Sequence, residues 1–160
     1  MTANTLIETV SADSLTNLLQ DAGYRVNRTE QNALVQLLSA SQGVGYAVRF
    51  GNRAVEEGQF LDFTYSCALR IQGDLPEGLA NLWNASRRYA RLSVQGEFLV
   101  LEKDVIVADG VTQKHLQGSL VLWDRLLQEF IAYLRDYSQV MAREQAAATP
   151  APAETADSEA

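Results

Sequence analysis

The side chains best able to act as a nucleophile or a base are few in this sequence. The chain holds one histidine, His115, and one cysteine, Cys67, so a cysteine–histidine catalytic pair would have to be built from these two alone. Cys67 lies on the apolar side of an alternating segment, which is typical of a buried cysteine that packs as a small hydrophobic residue. The sequence therefore predicts that the protein is not an enzyme.

The sequence also offers few residues that could bind a metal ion or a cofactor. One histidine and one cysteine cannot provide the several nitrogen or sulfur ligands that zinc prefers. Glu102 and Asp104 stand two residues apart on a predicted strand; they suit a calcium ion, but alternating charges on a solvent-facing strand explain them as well. The segment Gly43-Val44-Gly45 lacks the third glycine and the following helix of a dinucleotide fingerprint. We expect neither a metal ion nor an organic cofactor.

A dense basic cluster is formed by Arg87, Arg88 and Arg91, with Tyr89 among them. Two interpretations stay open: contact with an anion or nucleic acid, or cations at a helix C-terminus that pair with nearby acids. The chain has 13 Lys+Arg against 20 Asp+Glu, a net charge of -7, which argues against a general nucleic-acid binder and against docking on an anionic membrane. A small-molecule or anion sensor using the three arginines is the alternative function.

An α+β fold must position these residues. Residues 60–72 alternate apolar side chains with polar or small ones, which predicts a half-buried strand. Two strand-like runs precede it at 33–39 and 44–50, and the apolar residues of the first favour burial on both of its faces. With a short extra strand over 24–28, the predicted order is α-β-β-β-β-α-β-β-α, a mainly antiparallel sheet with helices packed on it.

The helices are marked by their caps and apolar stripes. Ser11 and Gly23 predict the start and the end of the first helix, and Pro76 predicts the first turn of the second. Trp83 and Trp123 lie on the apolar stripes of the second and third helices, where tryptophan is usually a core anchor and less often part of an interface. The stripe of the third helix is wide, so its surplus predicts a self-interface or a client-binding surface.

The composition divides the chain into a domain over 1–144 and a tail over 145–160. The tail consists of Ala, Thr, Pro, Ser, Gln and acidic residues, which predicts disorder. The N-terminus has no basic region followed by an apolar run, and no segment approaches the roughly 20 apolar residues of a membrane span. We therefore expect a cytoplasmic protein.

Two short motifs resemble the central helix-to-strand signature of the YbjN-domain family of bacteria. They are the pair Trp83-Asn84 and, after a short gap, Arg87-Arg88-Tyr89, which leads into a predicted strand. The segments 99–104, 110–112 and 116–134 also fit the family, and the resemblance covers roughly residues 9–137. It implies a fold similar to type III secretion chaperones and a role in regulating bacterial sensory transduction.

The resemblance brings no established catalytic residues. We therefore expect a non-enzymatic, cytoplasmic protein-binding module that is chaperone-like or regulatory in bacterial stress or sensory signalling. Its expected partner is a protein client or a second copy of the chain in a homodimer, with no role for nucleic acid or membrane. The candidate interaction residues are Trp83, Asn84, Arg87, Arg88, Tyr89 and Trp123.

Overall fold

The computed structural model describes residues 5–148, with side chains through residue 137. This part of the chain forms three helices and six strands, in the order that the sequence predicts. The elements are α1 (Ala12–Asp21), β1 (Asn27–Gln31), β2 (Leu34–Ser41), β3 (Val44–Phe50), β4 (Asp62–Arg70), α2 (Leu79–Ser86), β5 (Arg91–Gln95), β6 (Phe98–Ile106) and α3 (Gln113–Ala148).

The six strands form one antiparallel sheet in the order β1-β2-β3-β4-β6-β5. In β4, Tyr65 lies opposite Val48 of β3 on one side and opposite Lys103 of β6 on the other. The β2–β3 hairpin turns at Gln42 and Gly43, whose φ angles are 50° and 83°. Positive φ at both turn residues matches the twist of the flanking strands, which is why glycine suits this turn. The predicted α+β class is confirmed.

The first helix begins and ends where its sequence signals predict. The Ser11 hydroxyl accepts a hydrogen bond from the Ser14 backbone N–H at 3.0 Å, and the Ser14 hydroxyl accepts one from the Ser11 N–H at 2.8 Å. This reciprocal cap satisfies two N–H groups that have no partner within the helix. Gly23 follows the helix at φ 96°, a conformation that costs glycine little.

One hydrophobic core of the described part lies between the sheet and the helices. β4 turns Phe63, Tyr65 and Cys67 toward this core, and each is at most 1% exposed. Trp123 of α3 lies flat on Tyr65, with ring centroids 5.4 Å apart and planes 13° apart. The strict alternation of β4 therefore places α3 on one face of the sheet, as a period of two requires.

The apolar stripe of α3 is largely used inside the chain. Its buried members are Leu116, Leu120, Trp123, Leu126, Leu127, Phe130 and Tyr133. Among the large apolar side chains of α3 that the structure describes, Val121 alone is strongly exposed. The surplus that the sequence predicted on this helix is therefore small over the described residues, and exposed apolar surface has to be sought on the sheet.

Strand β2 differs from its prediction. Burial on both faces was expected, but Leu34 is 70% exposed and Leu38 is 38% exposed. The reason is that the described helices pack on the other face, where Leu37 of the same strand is fully buried. The prediction of burial on both faces is therefore wrong, and an apolar residue on a strand does not by itself show that a layer covers it.

The bounds of three elements differ by three residues or more from those that the sequence predicts. β1 begins three residues later than the short strand predicted over 24–28. α2 begins at Leu79 and not near Pro76, because Gly78 takes φ 86° and interrupts the helical path. α3 extends to Ala148, four residues into the predicted tail, and residues 149–160 lie outside the described part.

Candidate functional site

Trp83 is a core residue. Its side chain is fully buried, and its indole N–H donates to the backbone carbonyl of Ala90 at 3.1 Å. The rings of Phe130 and Tyr133 meet it edge-on, with centroids 5.9 and 5.3 Å away. Trp83 thus joins α2 to α3 and also fixes the chain that enters β5, which explains why an aromatic residue with a donor suits this position.

Asn84, the other half of the pair, binds the edge strand. Its Nδ2 donates to the carbonyl oxygen of Leu92 at 2.8 Å, and its Oδ1 accepts from the Leu92 N–H at 2.8 Å. The side-chain amide therefore makes the two hydrogen bonds with Leu92 that the backbone of a neighbouring strand would otherwise make. Edge strands with unpaired backbone groups invite pairing with other chains, so this cap also protects the edge. The Trp83-Asn84 pair fastens α2 to β5.

Arg87 and Arg88 both stack on aromatic rings. The Arg87 guanidinium lies 4.5 Å from the Trp83 ring centroid and 4.8 Å from that of Tyr133. The Arg88 guanidinium lies 5.4 Å from the centroid of Tyr89, which is exposed and takes φ 81°. Cation–π contacts of this kind orient an arginine without neutralising its charge.

Arg91 is separated from the other two arginines. It lies on β5 and forms ion pairs with Glu102 at 3.1 Å and Asp104 at 2.8 Å, both on β6. Glu102 also pairs with Arg49 on β3, and its side chain is only 6% exposed. The predicted cluster of Arg87, Arg88 and Arg91 is therefore not one patch.

The four charged residues of this arrangement form a ladder across the sheet, the Arg49–Glu102–Arg91–Asp104 ladder. The hydrogen bond that Arg91 donates to Asp104 is the main reason why the pKa of Asp104 is lowered. The same bond raises the pKa of Arg91. The ladder explains Glu102 and Asp104 by ion pairing, in place of the calcium site that their spacing also suited. Over the residues that the structure describes, no group of three potential ligands could hold a metal ion.

Two residues of the ladder, Arg49 and Glu102, line a groove on the sheet face opposite the described helices, which we call the open sheet face. This groove has a volume of about 710 Å³ and a mixed apolar and polar lining. Its apolar side chains on this face are Leu38, Ala47, Ala68, Phe98 and Val100. Sequence reasoning missed this surface, although the apolar residues at alternate positions of β2 and β6 were a signal for it.

Trp123, the last of the candidate residues, belongs to the core. It is fully buried against Tyr65 and Tyr46, whose ring lies 5.7 Å away. Burial raises the pKa of Tyr46 to about 12 and keeps this hydroxyl neutral near pH 7. The Trp123 indole N–H has no hydrogen-bond acceptor among the described residues. Trp123 is a packing residue, which is the more usual of the two roles expected for it.

Cys67 is buried in the core, whereas His115 lies at the surface. Burial raises the pKa of the Cys67 thiol to about 11, so the nucleophilic thiolate is scarce near neutral pH. His115 is exposed in the first turn of α3, at the surface.

Within the described part of the chain, no helix combines the length and the apolar character needed to cross a bilayer.

Comparison with family models places these elements in a known domain. The model of the YbjN family, described as "Putative bacterial sensory transduction regulator", matches residues 11–136, from the cap of α1 to the middle of α3. The chain belongs to the YbjN family. The Trp83-Asn84 pair, which carried the sequence resemblance, lies inside the matched range and performs the structural role described above.

A solved structure has the same fold. It is the crystal structure of YbjN, "a putative transcription regulator from E. coli", with a TM-score of 0.60 and 18% identity. The alignment covers 84% of this chain and 97% of the other. At this identity the YbjN structure supports the fold alone. No curated protein matches the chain. The likeness to type III secretion chaperones stays a prediction.

Proposed function

We propose that the chain is a non-enzymatic regulatory module that binds a protein partner through the open sheet face. The observation that carries the proposal is the groove of about 710 Å³, with apolar side chains beside the exposed Arg49 guanidinium. An apolar surface of this kind on the outside of a domain is typical of an interaction site. The family description of a sensory transduction regulator supports a role in signalling.

The shape of the groove favours an extended segment of the partner. The groove runs across four strands, from Leu38 on β2 to Phe98 on β6, which at the usual strand spacing is about 14 Å, so an extended segment can cross it. The small side chains of Ala47 and Ala68 form the centre of the groove. Apolar side chains of the partner can therefore approach the sheet closely.

Two ladder residues, Arg49 and Glu102, line the groove and indicate the charge of that segment. The Glu102 side chain is 6% exposed, whereas that of Arg49 is 43% exposed. Arg91 and Asp104 do not line the groove; they are 53% and 50% exposed and pair with each other. The ladder charge that the groove presents to solvent is therefore the Arg49 guanidinium. We expect a partner segment with apolar residues followed by a carboxylate that binds Arg49, since charge-assisted contacts to arginine are strong and directional.

Two matched variants test this proposal. Leu38→Glu places a charge in the groove without touching the buried core, whereas Val121→Glu places the same charge on an exposed apolar residue of α3. Tagged full-length wild type and both variants are used to capture proteins from lysate of the native host, and the captured proteins are quantified by mass spectrometry.

We expect wild type and Val121→Glu to capture the same partner in near-stoichiometric amount, and Leu38→Glu to lose it. Equal capture by both variants would show that the open sheet face is not the binding surface. Capture of nothing but the bait by wild type would contradict binding of any protein other than a second copy of the chain.

The chaperone-like and homodimeric forms of this function are finer alternatives. A chaperone would bind a partner segment that is disordered when alone, which circular dichroism of the isolated segment measures. A homodimer would occupy the open sheet face with a second copy, and light scattering would then give twice the 17.6 kDa of one chain. Cytoplasmic residence is the setting that we propose for either form.

A further inference from the structure

A second cleft lies between the C-terminal end of α2 and the side of α3. It has a volume of about 300 Å³, and its charged and aromatic lining consists of Arg87, Arg88, Tyr89, Arg125 and Glu129. Leu122 and Leu126 add an apolar wall. Arg125 was not a candidate in the sequence analysis; α3 brings it to the two arginines that remain of the predicted cluster.

The charges of this cleft are not neutralised within the described chain. Over the described residues, none of Arg87, Arg88 and Arg125 lies within 4.0 Å of a carboxylate, whereas the Arg49 and Arg91 guanidiniums of the ladder do. Three guanidiniums and the single carboxylate of Glu129 leave the cleft with two surplus positive charges. Such a concentration of charge is unusual on a chain whose net charge is -7.

The arginines are also held in place before any ligand binds. The Arg87 guanidinium packs against the rings of Trp83 and Tyr133, so part of its side-chain entropy is already lost. Tyr89, the ring beneath Arg88, has a φ of 81°, which is rare for a residue other than glycine. This turn places the Tyr89 ring against the Arg88 guanidinium.

We propose that the cleft of Arg87, Arg88 and Arg125 binds a phosphomonoester group. A phosphomonoester carries close to two negative charges at neutral pH, which matches the surplus charge of the cleft. Its oxygens accept the paired N–H groups of a guanidinium, and a monovalent carboxylate or phosphodiester would leave one positive charge unmatched. The group can come from a small phosphorylated metabolite or from a phosphoserine or phosphothreonine side chain.

Calorimetric titration of the full-length protein tests this proposal. The probes are phenyl phosphate and a five-residue phosphoserine peptide, with phenylsulfonate and the unphosphorylated peptide as controls. The variants are Arg125→Ala and, as a matched control, Arg135→Ala, which removes another exposed arginine of the same helix outside the cleft. Both positions are on the surface, so neither change disturbs the core.

We expect phenyl phosphate to bind wild type and Arg135→Ala equally, and Arg125→Ala to weaken binding about tenfold or more, the usual effect of losing one charge-assisted contact. A lower Kd for the phosphopeptide would indicate a phosphoprotein source, and a lower Kd for phenyl phosphate a metabolite. The proposal is overturned if wild type binds neither phosphate probe at about 10 mM, roughly tenfold above a weak Kd of about 1 mM. Equal affinity of Arg125→Ala and Arg135→Ala would also overturn it. Leu38→Glu keeps the cleft intact, so its phosphate affinity separates this site from the open sheet face.

Discussion

The two hydrogen bonds between Asn84 and Leu92 allow the role of the family signature to be measured. Asn84→Ala removes both bonds at once and leaves the N–H and C=O of Leu92 to water. A typical hydrogen bond contributes about 1 kcal/mol net, so the loss of both bonds costs about 2 kcal/mol. Because this edge of the sheet is partly accessible, water recovers some of it, and we expect about 1–2 kcal/mol.

Asn81→Ala is the matched control. Asn81 is exposed on the same helix, and its side chain makes no hydrogen bond with any described residue. Both variants gain the same helix propensity from alanine, at most about 0.7 kcal/mol, so the difference between them isolates the contacts with Leu92. Asn84→Asp keeps an acceptor for the Leu92 N–H but turns a carboxylate toward its carbonyl, and we expect it to be at least as unstable as Asn84→Ala.

Urea unfolding followed by circular dichroism measures these differences. The unfolding free energy of Asn84→Ala should lie about 1–2 kcal/mol below that of Asn81→Ala, with an unchanged m-value, which corresponds to a fall of roughly 3–6 °C in Tm for a chain of this length. Equal urea midpoints for the two alanine variants would refute the reasoning, because the amide would then contribute nothing to holding β5.

Three further predictions concern the core and the ladder. Trp83→Phe should lower the unfolding free energy by about 1 kcal/mol more than Trp123→Phe, since only Trp83 loses an indole hydrogen bond. The same urea assay measures this difference, and equal losses would contradict the prediction. Cys67 should react with Ellman's reagent at pH 8 only as fast as the protein unfolds, because it is buried and its pKa is raised to about 11, and rapid labelling of the native protein would contradict this. Asp104→Asn should lower stability at pH 7, because Arg91 holds the pKa of Asp104 below its usual 3.8. The contribution of the carboxylate is fully present above pH 3.8 and decreases as the pH falls through the lowered pKa of the folded protein, so urea unfolding of the two proteins should differ less as the pH is lowered below 3.8. A difference that stays constant from pH 7 down to the lowest pH at which the protein is folded would contradict the ion pair.

Local patterns in the sequence were enough to predict most of the fold. The alternation of Phe63, Tyr65 and Cys67 sets the buried face of β4, and the reciprocal cap at Ser11 sets the start of α1. In both cases the deciding interactions lie within a few residues along the chain. Periodicity is informative there because the same spacing that appears in the sequence fixes which side chains share a face.

The candidate sites were harder to predict because they depend on where separate elements meet. Arg88 and Arg91 are three residues apart, but the backbone reverses at Tyr89 and Arg91 then lies on a strand with its own alternation. Arg125 and Arg49 come from distant parts of the chain. Arg125 lies beside Arg88 in the cleft, whereas Arg49 shares the Glu102 carboxylate with Arg91 on the sheet. Spacing along the chain carries no signal for such contacts.

The open sheet face is tested most directly by photo-crosslinking in cells of the native host. The photoreactive residue p-benzoylphenylalanine replaces Ala68 at the centre of the groove or, as the control, Val121 on the exposed side of α3. We predict that the Ala68 position forms an adduct with one protein partner, through a segment with apolar and acidic residues, and that the Val121 position does not form this adduct. An adduct with a second copy of the chain would select the homodimeric form of the function. The absence of an adduct at Ala68, or the same adduct at both positions, would contradict the account.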